Sequence, residues 1–174
     1  MDPYDSLFYE GICFPETHPE SLAVLGRLMG LSAAEPQTCR VLELGCATGG
    51  NLIPMAEGLP QARLLGIDRS GPQIAAGNRL IERLGLANLR LRQGDILDLD
   101  PDRDPELGEA DFIIAHGVYS WVPSTVQRRL LWLVRRLLAP NGIFYVSYNV
   151  LPGWRLRGTL RDILLDACRE AQAP

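Results

Sequence analysis

The sequence contains no lysine; all 17 basic residues among its 174 are arginine. Lysine cannot serve this chain as nucleophile or as modification target. The four cysteines, Cys13, Cys39, Cys46 and Cys168, form no C-x-x-C pair, and the two histidines, His18 and His116, stand apart from them. That excludes a zinc knot and a disulfide framework, and a reducing cytoplasm is the expected compartment. Met1–Glu10 carries three acidic groups and no base, so it does not read as a signal peptide. No apolar run approaches the ~20 residues of a membrane span, so no membrane partner is expected. With a net charge of −4 there is no surplus of positive charge to hold a phosphate backbone, which disfavours nucleic acid. What remains is a globular composition, 47% hydrophobic and 22% charged, long enough for one domain with a sizeable core.

Residues 1–17 show no period and several aromatics, and read as an N-terminal arm or lid; residues 18–174 read as the domain itself. Thr17-His18-Pro19-Glu20 predicts a capping box opening a helix that stops near Gly30. Short strands are then predicted at 40–44, 63–67, 89–93, 112–115 and 143–148, the first and fourth of them apolar. Helices are predicted at 51–59, from the Ser70-Gly71-Pro72-Gln73 capping box to Gly85, from Ser124 to about Ala139, and at 155–171. This alternation implies right-handed βαβ units: an α/β fold with an open, mostly parallel Rossmann-like sheet of about five strands and helices on both faces. Ligands of such sheets lie beyond the carboxyl ends of the strands.

The residues after each strand form an ordered series. The first strand runs into Glu43-Leu44-Gly45-Cys46-Ala47-Thr48-Gly49-Gly50, a glycine turn into a helix start. It is neither G-x-G-x-x-G nor a P-loop, and Glu43 would repel a phosphate and attract a cation. Asp68, 23 residues after Gly45, stands where a carboxylate accepts both hydroxyls of a ribose; helix capping is its competing reading. Gly94-Asp95-Ile96 ends the third strand and could meet an adenine, or be a plain loop. His116-Gly117 ends the fourth, with His116 as pocket floor or as packing. Together these outline an adenosine site with negative charge nearby. S-adenosylmethionine fits it, because it has a ribose, an amine and a sulfonium but no phosphate. A nicotinamide dinucleotide fits less well, since its pyrophosphate must be held.

Val41-Leu42-Glu43-Leu44-Gly45-Cys46-Ala47-Thr48-Gly49 resembles motif I of the class I S-adenosylmethionine-dependent methyltransferases; Gly66-Ile67-Asp68 and Gly94-Asp95-Ile96 resemble their second and third motifs. Four longer strings, Phe14–Pro19, Gly49–Pro54, Ala115–Pro123 and Ser147–Trp154, are similar to a bacterial methyltransferase group in which a regulatory domain follows the catalytic one. Some members of that group methylate protein lysines. The resemblance implies S-adenosyl-L-methionine as cofactor, S-adenosyl-L-homocysteine as product and no metal. It assigns Glu43, Gly45, Cys46, Ala47, Gly49, Asn51, Asp68, Arg69, Gly94, Asp95, Ile96 and His116 to the cofactor, with Ala47 departing from the motif I glycines. The class usually has seven strands, so a truncated fold is expected, with the fifth strand an exposed edge able to pair with a second copy.

Methyl transfer needs positioning, desolvation and a neutral acceptor. Tyr119 and Tyr148, after strands four and five, are the candidate acceptor-side residues, with Trp154 beside them, since aromatic faces hold a methylated ammonium. Asp98, Asp100, Asp102 and Glu109 mimic a calcium loop, but Arg103 replaces the required glycine. Arg128, Arg129, Arg135 and Arg136 read as a solvated helix face. Cys46 reads as a small packing residue.

Overall fold

The computed structural model describes residue 9 and residues 11–171. The arm's first eight residues lie outside the described ones. Five strands, β1 (Arg40–Leu44), β2 (Arg63–Asp68), β3 (Leu89–Gln93), β4 (Ala110–Ala115) and β5 (Leu138–Val146), form one sheet in the order β3-β2-β1-β4-β5. Every pairing is parallel. The order reverses beside β1, so the cleft of an open α/β sheet falls at the carboxyl ends of β1 and β4. This is the α/β, Rossmann-like sheet the alternation predicts.

The helices are α1 (Pro19–Leu28), α2 (Leu52–Gly58), α3 (Gly71–Leu84), α4 (Ser124–Leu137) and α5 (Arg155–Ala171). β1 and β4 are central, and their side chains are buried on both faces, as apolar runs in a parallel sheet must be. On one face Val41, Leu64, Leu91, Phe112 and Ile114 meet α1, α2 and α3 through Leu22, Leu52, Met55 and Ile74. On the other, Leu42, Leu44, Ile67 and Ile113 meet α4 through Leu130, Leu133 and Leu137. No helix joins β3 to β4; Leu99 and Leu107 from that irregular segment complete the second core. Its acidic run is tied to arginines: Asp102 to Arg136 at 2.7 Å, Asp104 to Arg92, and Asp100 to Arg103 at 3.6 Å. Arg129 lies over the Trp132 ring and donates to the Leu99 carbonyl.

Three capping expectations are corrected. The residue capping α1 is His18, whose Nδ1 accepts the Glu20 N–H at 3.3 Å, and not Thr17. Ser70 occupies the cap position of α3 but makes no capping bond from its side chain, and Ser124 is the first residue of α4, after Pro123. β5 begins five residues earlier than predicted, because Leu138 already pairs with Ala110 before the Pro140-Asn141-Gly142 irregularity. The helix stops hold: Gly30 and Gly85 take positive φ, +85° and +66°.

Candidate functional site

Glu43 stands one residue before the end of β1, between Gly66 of β2 and Ile114 of β4. It is 3% exposed. Its Oε1 accepts from Asn51 Nδ2 at 3.0 Å, while its Oε2 is buried with no partner. Burial, opposed by the Asn51 bond and helped by the charge of Asp68, raises its pKa from the ordinary 4.5 to about 7. An orphaned buried carboxylate oxygen is costly. The group that would relieve it is a donor carrying positive charge.

The glycine turn folds around this carboxylate. Gly45 (φ +82°), Ala47 (φ +50°) and Gly49 (φ +76°) all sit in the left-handed region. Ala47 is the departure from motif I, and it adopts there the backbone a glycine would take more cheaply. The turn is locked from β2: Gly45 and Cys46 N–H donate to the Ile67 carbonyl at 2.8 and 3.2 Å, and Ala47 N–H donates to Asp68 Oδ2 at 2.8 Å. Cys46 is buried, and burial, with the charges of Glu43 and Asp68, lifts its thiol well above its ordinary range. Its sulfur fills space left by Gly66, where a Cβ would stand 2.7 Å away. Its place beneath the turn is that of a packing atom.

Asp68 ends β2 with Oδ1 accepting the Ser70 N–H at 2.9 Å, so the capping-type contact and the loop anchor coexist on one carboxylate. A carboxylate offers about four acceptor positions, which leaves room for a diol. Arg69 and Asp95 meet across the ends of β2 and β3, Nε to Oδ2 at 3.5 Å. Asp95 also accepts the Leu97 N–H at 2.9 Å. Gly94 N–H donates to the Asp68 carbonyl at 2.9 Å, and Ile96 packs against the second core. A surface depression beside β3 takes in Gly94 and Asp95 together with Arg92, Asp98 and Arg103.

Beyond β4 and β5 the character changes. The His116 ring lies 3.7 Å from the Phe14 ring and 6.1 Å from that of Tyr145, centroid to centroid. Burial lowers the His116 pKa, opposed by the charge of Glu16. Tyr119 and Tyr148 form an edge-to-face pair at 6.3 Å, and Trp121 and Trp154 another at 5.9 Å. Two serines join the loops that carry them: Ser147 Oγ accepts the Gly117 N–H at 2.8 Å, and Ser120 Oγ accepts the Asn149 N–H at 2.7 Å. Tyr148 and Trp121 are more than half exposed.

Sequence reasoning assigned no site role to the arm's individual residues. Tyr9 N–H points to Gln73 Oε1 of α3 at 3.4 Å. Gly11 lies against Gly50, so that a Cβ on Gly11 would stand 3.0 Å from the Gly50 Cα. Phe14 and Thr17 bond to Asn51. The available signal was the Phe14–Pro19 string, which matched a family pattern without any helical or strand period.

A family model described as a methyltransferase domain matches residues 36–172. An uncharacterised protein of Rickettsia prowazekii (strain Madrid E) is 43% identical over 164 residues, covering 94% of this chain and 29% of that protein. A second protein of that organism is 40% identical over 162 residues, covering 93% of this chain and 63% of that protein. The solved structure of PKMT2 from Rickettsia typhi in complex with AdoHcy matches with a TM-score of 0.87 at 38% identity, over 95% of this chain and 31% of that one. The chain thus spans less than two thirds of each of these relatives. A family model matching most of the chain, with sequence and sheet matched over more than nine tenths of it, places it in one family: the chain belongs to the class I, Rossmann-like S-adenosylmethionine-dependent methyltransferases.

Proposed function

We propose that this chain transfers the methyl group of S-adenosylmethionine to an amine, and that the amine is a protein lysine. The observation that carries the cofactor half is the orphaned, buried Oε2 of Glu43, a ready partner for the ligand's ammonium. Asp68 accepts the ribose diol, and Asp95 with Ile96 meets the adenine at the edge of β3. The cofactor supplies a methyl group already activated on a sulfonium. The protein's task is then to exclude water, orient the acceptor and leave its nitrogen unprotonated.

The aromatic pairs Tyr119–Tyr148 and Trp121–Trp154, of which Tyr148 and Trp121 are exposed, support the acceptor half. They offer ring faces to a cationic or methylated nitrogen at the rim of β4 and β5, worth roughly 0.5–2 kcal/mol per contact. His116, whose pKa burial lowers against the opposing charge of Glu16, can accept a proton at that rim. The likeness to PKMT2 and to the bacterial group with a downstream regulatory domain points the same way. The described arm, residue 9 and residues 11–17, acts as a lid over the glycine turn, and the open edge of β5, beside α1 with its exposed Leu25 and Leu28 and the Met29 that follows it, accepts a second copy of the chain. Among the described residues no helix is long and apolar enough to cross a membrane.

Incubation with methyl-labelled S-adenosylmethionine and a cell extract tests the acceptor. Label should enter protein, and acetylating the extract's lysines beforehand should abolish it. Undiminished labelling after acetylation would assign another acceptor. Binding of S-adenosylhomocysteine without any transfer would favour a binding module.

A further inference from the structure

Asn51 occupies the cap position of α2, where an asparagine side chain ordinarily accepts a backbone N–H of the first turn. It makes no such bond. Its buried amide serves a different set of partners. Phe14 N–H donates to Oδ1 at 3.0 Å. Nδ2 donates to Thr17 Oγ1 at 3.0 Å and to Glu43 Oε1 at 3.0 Å. Thr17 Oγ1 donates in turn to the Phe14 carbonyl at 2.8 Å. Phe14, Asn51 and Thr17 thereby close a ring of hydrogen bonds in which each donor has an acceptor.

The ring fixes which way the amide faces. A backbone N–H can only donate, so the oxygen of Asn51 must face Phe14 and the nitrogen must face Glu43. The donor therefore takes Oε1, and Oε2 is the oxygen left without a partner. The arm, 34 and 37 residues away in sequence, is part of the same unit as the carboxylate. It is seated by backbone as well, Gly11 against Gly50, with the Phe14 ring on His116 at its far end.

We propose that Asn51 is a positioning residue that couples two events: its amide orients the Glu43 carboxylate toward the ammonium of the bound nucleoside, and the same amide latches the Phe14–Thr17 arm over the glycine turn. The inference rests on the S-adenosyl reading of the site. A cation at Oε2 holds Glu43 ionised, which strengthens the Nδ2–H···Oε1 bond and, through the shared amide, the ring. Coupling of this kind is reciprocal, so a loosened latch must weaken the ligand. The titratable groups whose charge reaches Glu43 are Asp68 from the end of β2 and the Cys46 thiol from the turn; the arm presents only the hydroxyl and backbone of Thr17 and Phe14.

Two ligands separate this coupling from simple structural damage. S-adenosylhomocysteine carries the ammonium; 5′-methylthioadenosine keeps the adenosine and thioether but lacks the amino-acid end. By calorimetry, Asn51→Ala and Thr17→Val should weaken S-adenosylhomocysteine about tenfold, the loss expected of one charge-assisted hydrogen bond, and leave 5′-methylthioadenosine within about twofold. Hydrogen exchange supplies the second readout. S-adenosylhomocysteine should slow exchange at residues 11–17 of the unmodified chain, and 5′-methylthioadenosine should not. Gly50→Ala, whose Cβ would stand 2.3 Å from the Gly11 Cα and which leaves the Asn51 and Glu43 side chains in place, should remove that protection if Asn51→Ala fails to fold. Equal weakening of both ligands by Thr17→Val, or arm exchange indifferent to S-adenosylhomocysteine, would overturn the coupling while leaving the cofactor site intact. An unmodified chain that binds neither nucleoside overturns the site itself and the coupling with it.

Discussion

The carboxyl rim of the sheet has two unlike halves. At β1 and β2 the polar groups are buried and held by the chain: Glu43, Asn51 and Cys46 are each no more than 5% exposed, and the turn's backbone is tied to Ile67 and Asp68. At β4 and β5 the groups are large, aromatic and open, with Trp121 at 56% and Tyr148 at 59%, held by one serine bond per loop. The inner half suits one ligand of fixed shape, bound in a water-poor setting where a charge pair is strong. The outer half suits a partner that arrives from solvent and varies in sequence. On the function proposed above, the contrast divides the labour of a two-substrate transferase between cofactor and acceptor.

Breaking the inner half should have the largest effect. Glu43→Gln removes the ammonium's partner and should weaken S-adenosylhomocysteine by about 1.5–3 kcal/mol, measured by calorimetry at pH 8. The same variant should reverse a penalty in the ligand-free protein. Glu43 holds its proton up to about pH 7 when folded and only to about 4.5 when unfolded. Its contribution to stability is therefore intact below about pH 4.5 and lost as pH rises to about 7, by about 3 kcal/mol in the limit. Urea titrations at pH 5 and pH 8 should show that loss in the parent chain and none from this site in Glu43→Gln, which should be the more stable of the two at pH 8.

Asp68→Ala should cost the nucleoside about 1–3 kcal/mol, since diol and turn lose an acceptor together; unchanged affinity would remove the ribose assignment. Gly66→Ala tests the packing beneath the turn. Its Cβ would stand 2.6–2.8 Å from Leu91, Cys46 and Leu52. All three are buried, so unfolding free energy should fall by about 1–2 kcal/mol. The outer half should respond least by these measures. Trp121→Ala should leave stability and nucleoside affinity within about 0.5 kcal/mol, as surface changes do, while raising the KM for a protein acceptor. If Trp121→Ala weakens the nucleoside as strongly as Asp68→Ala does, the division into halves is wrong.

How legible each part was in the sequence follows from the range of its interactions. β1 and β4 were readable because a strand buried on both faces is a short apolar run, β2 from its Leu64-Leu65-Gly66-Ile67 run and β3 from leucines at strand spacing; Glu43, Asp68 and Asp95 lie at or just past these strands. The start of β5 was not, since Ala139-Pro140-Asn141-Gly142 has the chemistry of a turn and its pairing with Ala110 is set only by the fold. Thr17 and Ser70 carry local capping signals, but both are buried against distant elements, and Thr17 spends its hydroxyl on Phe14 and Asn51. The arm was visible as a family string without a mechanism, for its partners lie more than 30 residues away. The His116–Phe14 stack was hidden for the same reason.

The seating of Gly11 on Gly50 has a consequence for substitution. A Cβ on Gly50 would stand 2.3 Å from the Gly11 Cα, and a Cβ on Gly11 3.0 Å from the Gly50 Cα, so the crossing of these two backbones admits no side chain on either partner unless the two segments part.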